Sequence, residues 1–231
     1  MVSAPFWGSR IVPVLIRVWF AILLAVASHP VIGAVKLNND ITVVYIIIAL
    51  SCEFGVGLGL GWTAQILFAG MRLAGEEIEL KTGLGLIQLT DPNGNGQSGV
   101  FSSLLEVIAG LIFFSINGHH LLVKAIWSSY QVFPLAGEKF GREVLDAMIF
   151  SSMEIFLIAL RVSAPVVVGL MLSDIILGLI GRAVPQMNVF MVAQPLQFAL
   201  AVILLFLAVP SFVWFFMRHL AGLTVVPGFP A

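Results

Sequence analysis

Charge is what this chain has least of. Lysine, arginine, aspartate and glutamate together make up 10% of its 231 residues, whereas 60% are hydrophobic. A soluble domain carries about 25% charged and about 45–50% apolar residues. The polar surface needed to cover a globule in water is therefore missing, and lipid or a large partner interface must take its place. Cysteine is nearly absent too. The one example, Cys52, lies inside an apolar run, which excludes a disulfide framework and a thiolate metal cluster and reads as a small buried hydrophobe. A net charge of −1 leaves no basic face for nucleic acid. The sequence also lacks a Walker-type phosphate loop and a G-x-S-x-G elbow. Nothing in it points to an enzyme or to a cofactor.

What it has is length in apolar runs, at about 11–27, 41–71, 104–127, 144–172 and 187–217. Most exceed the roughly 20 residues needed to cross a bilayer, and several are too long for one simple span, so tilted or broken helices are expected. The fold class that follows is an all-α integral membrane protein with about five long apolar helical segments, several broken or kinked. Pro165 interrupts the fourth run and removes a backbone donor, which kinks a helix. A short polar stretch, Ser173–Gln186, separates that run from the fifth, and the two together read as a C-terminal helical hairpin over about 144–217. We read residues 1–231 as one membrane-embedded domain. At the N-terminus, Arg10 and Arg17 before Val18–Leu24 and Ala25-Val26-Ala27 resemble a secretory signal. The long leader favours instead a retained helix from about Ile11 to Ala27. Lysine and arginine counts on the two sides tie, so charge does not orient the chain.

The most informative block runs from Arg72 to Gly99. Arg72, Glu76, Glu77, Glu79 and Lys81 place five charges in ten residues, beside a glycine-rich stretch, Asp91-Pro92-Asn93-Gly94-Asn95-Gly96-Gln97-Ser98-Gly99. Charge and bare backbone are costly at membrane depth unless protein or a water-filled cavity surrounds them. The block therefore points to a polar path, or a gate on one, among hydrophobic helices.

Other constellations have plainer readings. Gly55, Gly57, Gly59 and Gly61 form two interleaved small-xxx-small pairs that favour close helix packing; Leu60 spoils a dinucleotide fingerprint. Glu76, Glu77, Glu79, His119 and His120 lack the ligand spacings of a zinc site, and adjacent histidines point about 100° apart on a helix. No metal is expected. The ordinary alternative is a polar helix end, with Asn117-Gly118 breaking the run and His119 bonding exposed backbone. Arg161 lies deep in an apolar run without a carboxylate three or four residues away. It needs a partner on another segment, a hydrated cavity or room to snorkel, and a functional role and an interhelix ion pair carry equal weight. Glu53 raises the same question.

In this context one family stands out. Arg72-x-Ala74-Gly75-Glu76-x-Ile78, then Gly83, then Asp91-Pro92 resembles the FliR family, the R-type subunit of the flagellar type III export gate. Glu106 takes an acidic position fifteen residues after Asp91, Asn117-Gly118-His119 follows, and Pro134 lies seventeen residues beyond Asn117. Ala164-Pro165 looks like the family's kinked helix. The most specific stretch is Gly178-Leu179-x-x-Arg182-x-x-Pro185-Gln186-x-x-x-Phe190, closing with Pro195-Leu196. The match runs from about Pro5 to the C-terminal region. Injectisome R/T-type subunits are the near alternative, and Gly75-Glu76 and Asn117-Gly118-His119 look more flagellar.

The resemblance implies a pore/gate subunit that joins P-type and Q-type export-gate subunits, with B-type and A-type export membrane proteins as further partners. The setting would be the bacterial inner (cytoplasmic) membrane at the flagellar basal body. Unfolded export substrates would pass through, driven mainly by the proton-motive force. It further implies that about Thr90–Phe101, with Asp91 to Gly99 and Phe101, projects into the pore as a plug. Arg72, Gly75, Glu76, Glu106, Asn117, Gly118, His119, Arg161, Pro165, Arg182, Pro185 and Gln186 are its gate and assembly positions on this chain. Glycine imposes little stiffness there; an aqueous loop without special role is the alternative.

Two departures are expected to matter. Family members usually carry another apolar segment before the region matching Pro5–Arg17, so a first helix is expected to be missing. Glu77, Glu79, Lys81 and Arg161 replace residues that are usually less charged or apolar. Outside the family, the competing function is a small-solute secondary transporter with a midplane polar site built from Arg161 and Glu53; a membrane-embedded metalloenzyme ranks third.

Overall fold

The computed structural model describes residues 13–32, 43–85, 99–132, 142–184 and 189–223. Among them every regular element is helical: α1 (Val14–Ile32), α2 (Val43–Thr82), α3 (Val100–Ser115), α4 (Gly118–Val132), α5 (Arg142–Ala183) and α6 (Val189–Leu223). Among the described residues three helices are long and apolar enough to cross a membrane, and α3 with α4 makes a fourth span if the bent pair is counted as one. With 40, 42 and 35 residues, α2, α5 and α6 outrun the hydrocarbon core, which about 20 helical residues suffice to cross. The all-α membrane architecture expected from composition is the one observed.

Several boundaries differ from those the apolar runs suggest, each for a local reason. The helix matching the first run is shifted from 11–27 to Val14–Ile32. The second does not stop at residue 71 but carries the whole charged block to Thr82. Glutamate, leucine and lysine are good helix formers, and Arg72 and Glu76 pair at i,i+4, 3.9 Å apart. Gly83 then ends the helix at φ 76°, the left-handed stop that glycine adopts freely, and its N–H bonds the Leu80 carbonyl at 3.4 Å. Likewise Ser173–Gln186 does not form a linker from its start, because α5 continues to Ala183. The Asp174 carboxylate accepts a hydrogen bond from Gln197, so it has no need to break the helix for a partner. The backbone also stays helical through Pro165, where proline leaves the Arg161 carbonyl without its usual donor.

The third run is broken where Asn117-Gly118 suggested. The axes of Val100–Ser115 and Gly118–Tyr130 meet at 69°. Asn117 adopts φ 56°, a conformation asparagine tolerates better than most residues. Its carbonyl accepts from the His120 N–H at 2.9 Å and so starts α4. Gly118 is close against Phe113, whose ring would lie 2.3 Å from a Cβ.

The chain divides into two compact units. One comprises Met1–Ile66, Phe113–Met153 and His219–Ala231. In it α1 packs on α4, and the Trp127 indole N–H donates to Ser28 Oγ at 2.9 Å. Trp62 donates similarly to Ser152 at 3.4 Å. Of the glycine series in α2, Gly57 faces open space and Gly59 is buried.

The other unit comprises Leu67–Ile112 and Glu154–Arg218. Its core is made of stripes at helical spacing: Leu67, Met71, Ala74 and Ile78 on α2; Phe101, Leu105 and Ala109 on α3; Ile158, Val162, Val166 and Leu170 on α5; Ala201, Leu205, Ala208 and Phe212 on α6. Spacing of three or four keeps each set on one face. Small residues bring the helices close. A Cβ on Gly70 would lie 2.6 Å from the Ile158 side chain, and one on Gly169 would lie 2.3 Å from Leu204. Because Gly169 meets Leu204 while Asp174 meets Gln197, α5 and α6 run antiparallel. That is the C-terminal hairpin.

Candidate functional site

The charged block does not hang in a loop; it lies on α2, and two of its glutamates turn inward. Glu79 is 2% exposed. Its Oε1 accepts from the Ser102 N–H at 2.9 Å and the Ser102 hydroxyl at 3.2 Å. Ser102 stands in the first turn of α3, whose first intrahelical bond runs from the Ser103 N–H to the Gly99 carbonyl at 2.9 Å. Gly99 is therefore the N-cap residue, and it has no side chain with which to cap. Glu79 reaches over from α2 and does so instead, at the end of the helix where the dipole favours an anionic group.

Two glycines make this approach possible. A Cβ on Gly99 would fall 1.7 Å from Glu79 Oε2, and one on Gly75 would fall 2.4 Å from the Ser102 Cα. At Gly75 the obstacle is backbone, which cannot rotate away. Phe101 is buried beside this contact and packs its ring on Phe198 of α6, centroids 5.6 Å apart. Nearby on α2, Glu77 accepts a hydrogen bond from Ser163 of α5. Past the helix end, Gly83 lies against Gln194 of α6.

Of the residues singled out in the sequence, the structure thus brings together Gly75, Gly99 and Phe101. Arg72 and Glu76 sit near them on α2 but point outward, 53% and 52% exposed. Glu106 is exposed on α3. Asp91, Pro92, Asn93, Gly94, Asn95, Gly96, Gln97, Ser98, Pro185 and Gln186 lie outside the described residues. Arg161, Pro165 and Arg182 lie on α5, Arg161 and Arg182 with their side chains exposed. Arg161 forms no interhelix ion pair among the described residues; its guanidinium instead lies 5.4 Å from the centre of the Phe215 ring. That geometry suits a cation–π contact.

Asn117, Gly118 and His119 belong to the other unit, at the break between α3 and α4. His119 does not bond exposed backbone as a polar helix end would suggest. Its Nδ1 is buried without a hydrogen-bond partner, and its ring packs between Phe114 and His120, at 5.9 and 4.3 Å. Sequence reasoning missed Ser102, Ser163 and the Asp174–Gln197 pair. The available signal was a helix start at Val100 preceded by a glycine rather than a capping side chain.

Long apolar helices with unshielded hydrophobic exteriors, interrupted by a packed polar junction, make this an integral membrane protein. By sequence it belongs to the bacterial export proteins, family 1, whose model matches residues 1–223. The chain is similar to the flagellar biosynthetic protein FliR of Bacillus subtilis (strain 168), 35% identical over 227 residues that cover 97% of this chain and 86% of that one. It is also similar to the protein of that name from Aquifex aeolicus (strain VF5), 33% identical over 210 residues covering 89% and 79% of the two chains. The Escherichia coli (strain K12) FliR is 28% identical over 210 residues, covering 90% of this chain and 79% of its own.

Proposed function

We propose that this chain is a structural pore and gate subunit of a flagellar type III protein export apparatus, with no catalytic role of its own. The observation that carries the reading is a family match across residues 1–223 together with relatives named as flagellar biosynthetic proteins along nearly the whole chain. The helices support it physically: their exteriors are too apolar for water, and one junction joins charge, glycine and a helix start within packed protein. Both compact units would serve one membrane-embedded domain in the cytoplasmic membrane at the flagellar base. P-type and Q-type gate subunits are the expected neighbours, with B-type and A-type export proteins beyond them. Arg161 is exposed on α5, which lends nothing to a midplane solute site. Deleting the gene cleanly is expected to abolish flagellin secretion and swimming, with both restored in trans. A deletion strain that swims normally would overturn the reading.

Within that function, the segment expected at about Thr90–Phe101 is the proposed plug, except at its end: Val100 and Phe101 belong to α3, Phe101 is buried on Phe198, and Gly99 is the N-cap against Glu79. Its other two glycines, at 94 and 96, impose little conformational stiffness. Removing Asn93–Ser98 is expected to leave the chain in the membrane and to raise ion conductance. Unchanged conductance would assign the segment another role.

A further inference from the structure

We infer that Glu79 is a positioning residue for the start of α3: its carboxyl group, brought by α2, is the cap of that helix and fixes where its first turn, Gly99 to Ser102, sits against α2. This rests on the proposed gate function and adds a named residue to it. An ordinary N-cap belongs to the chain it caps and moves with it. Here the cap belongs to a different helix, so the start of α3 is tied to α2. The Ser102 N–H and hydroxyl both converge on Glu79 Oε1, at 2.9 and 3.2 Å. The remaining volume at Gly99 is filled by the same carboxyl group, whose three atoms would lie 1.7 to 2.0 Å from a Cβ there. Space and acceptor are thus one object: either a side chain at 99 or the glutamate at 79 fits, not both.

That exclusivity defines the test. Four variants of the full chain are expressed in the gene-deletion strain: Glu79→Ala, Glu79→Gln, Gly99→Ser, and Glu79→Ala with Gly99→Ser. Flagellin secretion and membrane ion leak are measured for each. Glu79→Ala empties the site and removes the acceptor that Ser102 bonds in the first turn of α3, so leak is expected to rise roughly fivefold. Glu79→Gln keeps an oxygen acceptor at the same reach and loses less. Gly99→Ser alone collides with the carboxyl group and is expected to be defective. In the double variant the introduced hydroxyl caps its own helix from the vacated space, and leak and secretion return to within about twofold of the original. Gly99 is not in the left-handed region, so serine meets no backbone strain there.

A double variant no better than Glu79→Ala overturns the inference. So does a Glu79→Ala chain indistinguishable from the original when the Asn93–Ser98 deletion leaks; in that case the plug reading survives. If that deletion is also tight, the plug reading falls as well. Should Glu79→Ala fail to accumulate, the amount of chain in membranes becomes the readout. Recovery on adding Gly99→Ser supports the coupling, and no recovery overturns it.

Discussion

The two halves of α2 invert the usual rule of burial. Its first half, Val43 to Trp62, is largely apolar, yet Val43 and Phe54 are 71% and 68% exposed. Its second half carries five charges, yet Leu67 and Ile78 are 1% and 0% exposed, and Glu79 is buried with them. In water the more hydrophobic half would be the core. In a bilayer, lipid tails are as apolar as leucine, so hydrophobicity alone does not drive helices together. Packing falls to the half whose glycines, Gly70 and Gly75, meet a neighbouring helix and where polar groups need one another.

That contrast is easiest to break with glycine. At Gly75 a new side chain meets the backbone of Phe101 and Ser102; Gly75→Val is expected to cost about 3 kcal/mol and to abolish flagellin secretion. Gly57→Val enters open space, so the isolated chain should be unaffected in a detergent unfolding assay. A secretion defect from Gly57→Val in an otherwise stable chain would mark the first half as a contact with another subunit.

Truncating one isoleucine in each half gives the next largest difference. Ile78→Ala empties a buried site and should destabilise by about 2–5 kcal/mol. Ile47→Ala, on an exposed position, should change stability by no more than about 0.5 kcal/mol. Equal losses in unfolding titrations would mean the first half is packed after all.

The smallest effect concerns the outward charges of the second half. Arg72 and Glu76 are 53% and 52% exposed and 3.9 Å apart. Arg72→Gln should therefore cost only about 0.3–0.5 kcal/mol once solvent screening is counted. A stability loss approaching that of Ile78→Ala would show that the pair is enclosed rather than open.

Much of the architecture could be read from the chain because it rests on local chemistry. Run lengths announce membrane helices, and Asn117-Gly118 announces a break through the left-handed preference of asparagine. The charged block was legible as a place where polar groups must be accommodated, but not as helix, because an apolar run ends at residue 71 while helix propensity does not. The Glu79 cap was harder still. A conventional capping box lies within four residues, whereas Glu79 and Ser102 are 23 apart and no short motif joins them. His119 misled for the opposite reason: its residue type suggested a hydrogen bond, and its neighbours Phe114 and His120 offered rings instead. Arg161 suggested either a functional role or an interhelix ion pair, and its guanidinium lies over Phe215.

The elbow between α3 and α4 also bears on biogenesis. Its arms contain 16 and 15 residues, so neither alone matches the roughly 20-residue requirement of a straight crossing. The carbonyls and amides freed at the corner would face hydrocarbon if this stretch entered the bilayer unaccompanied. Were it inserted one segment at a time, the stretch is expected to stay unfinished until later parts of the chain, or neighbouring polypeptides, shelter the bend.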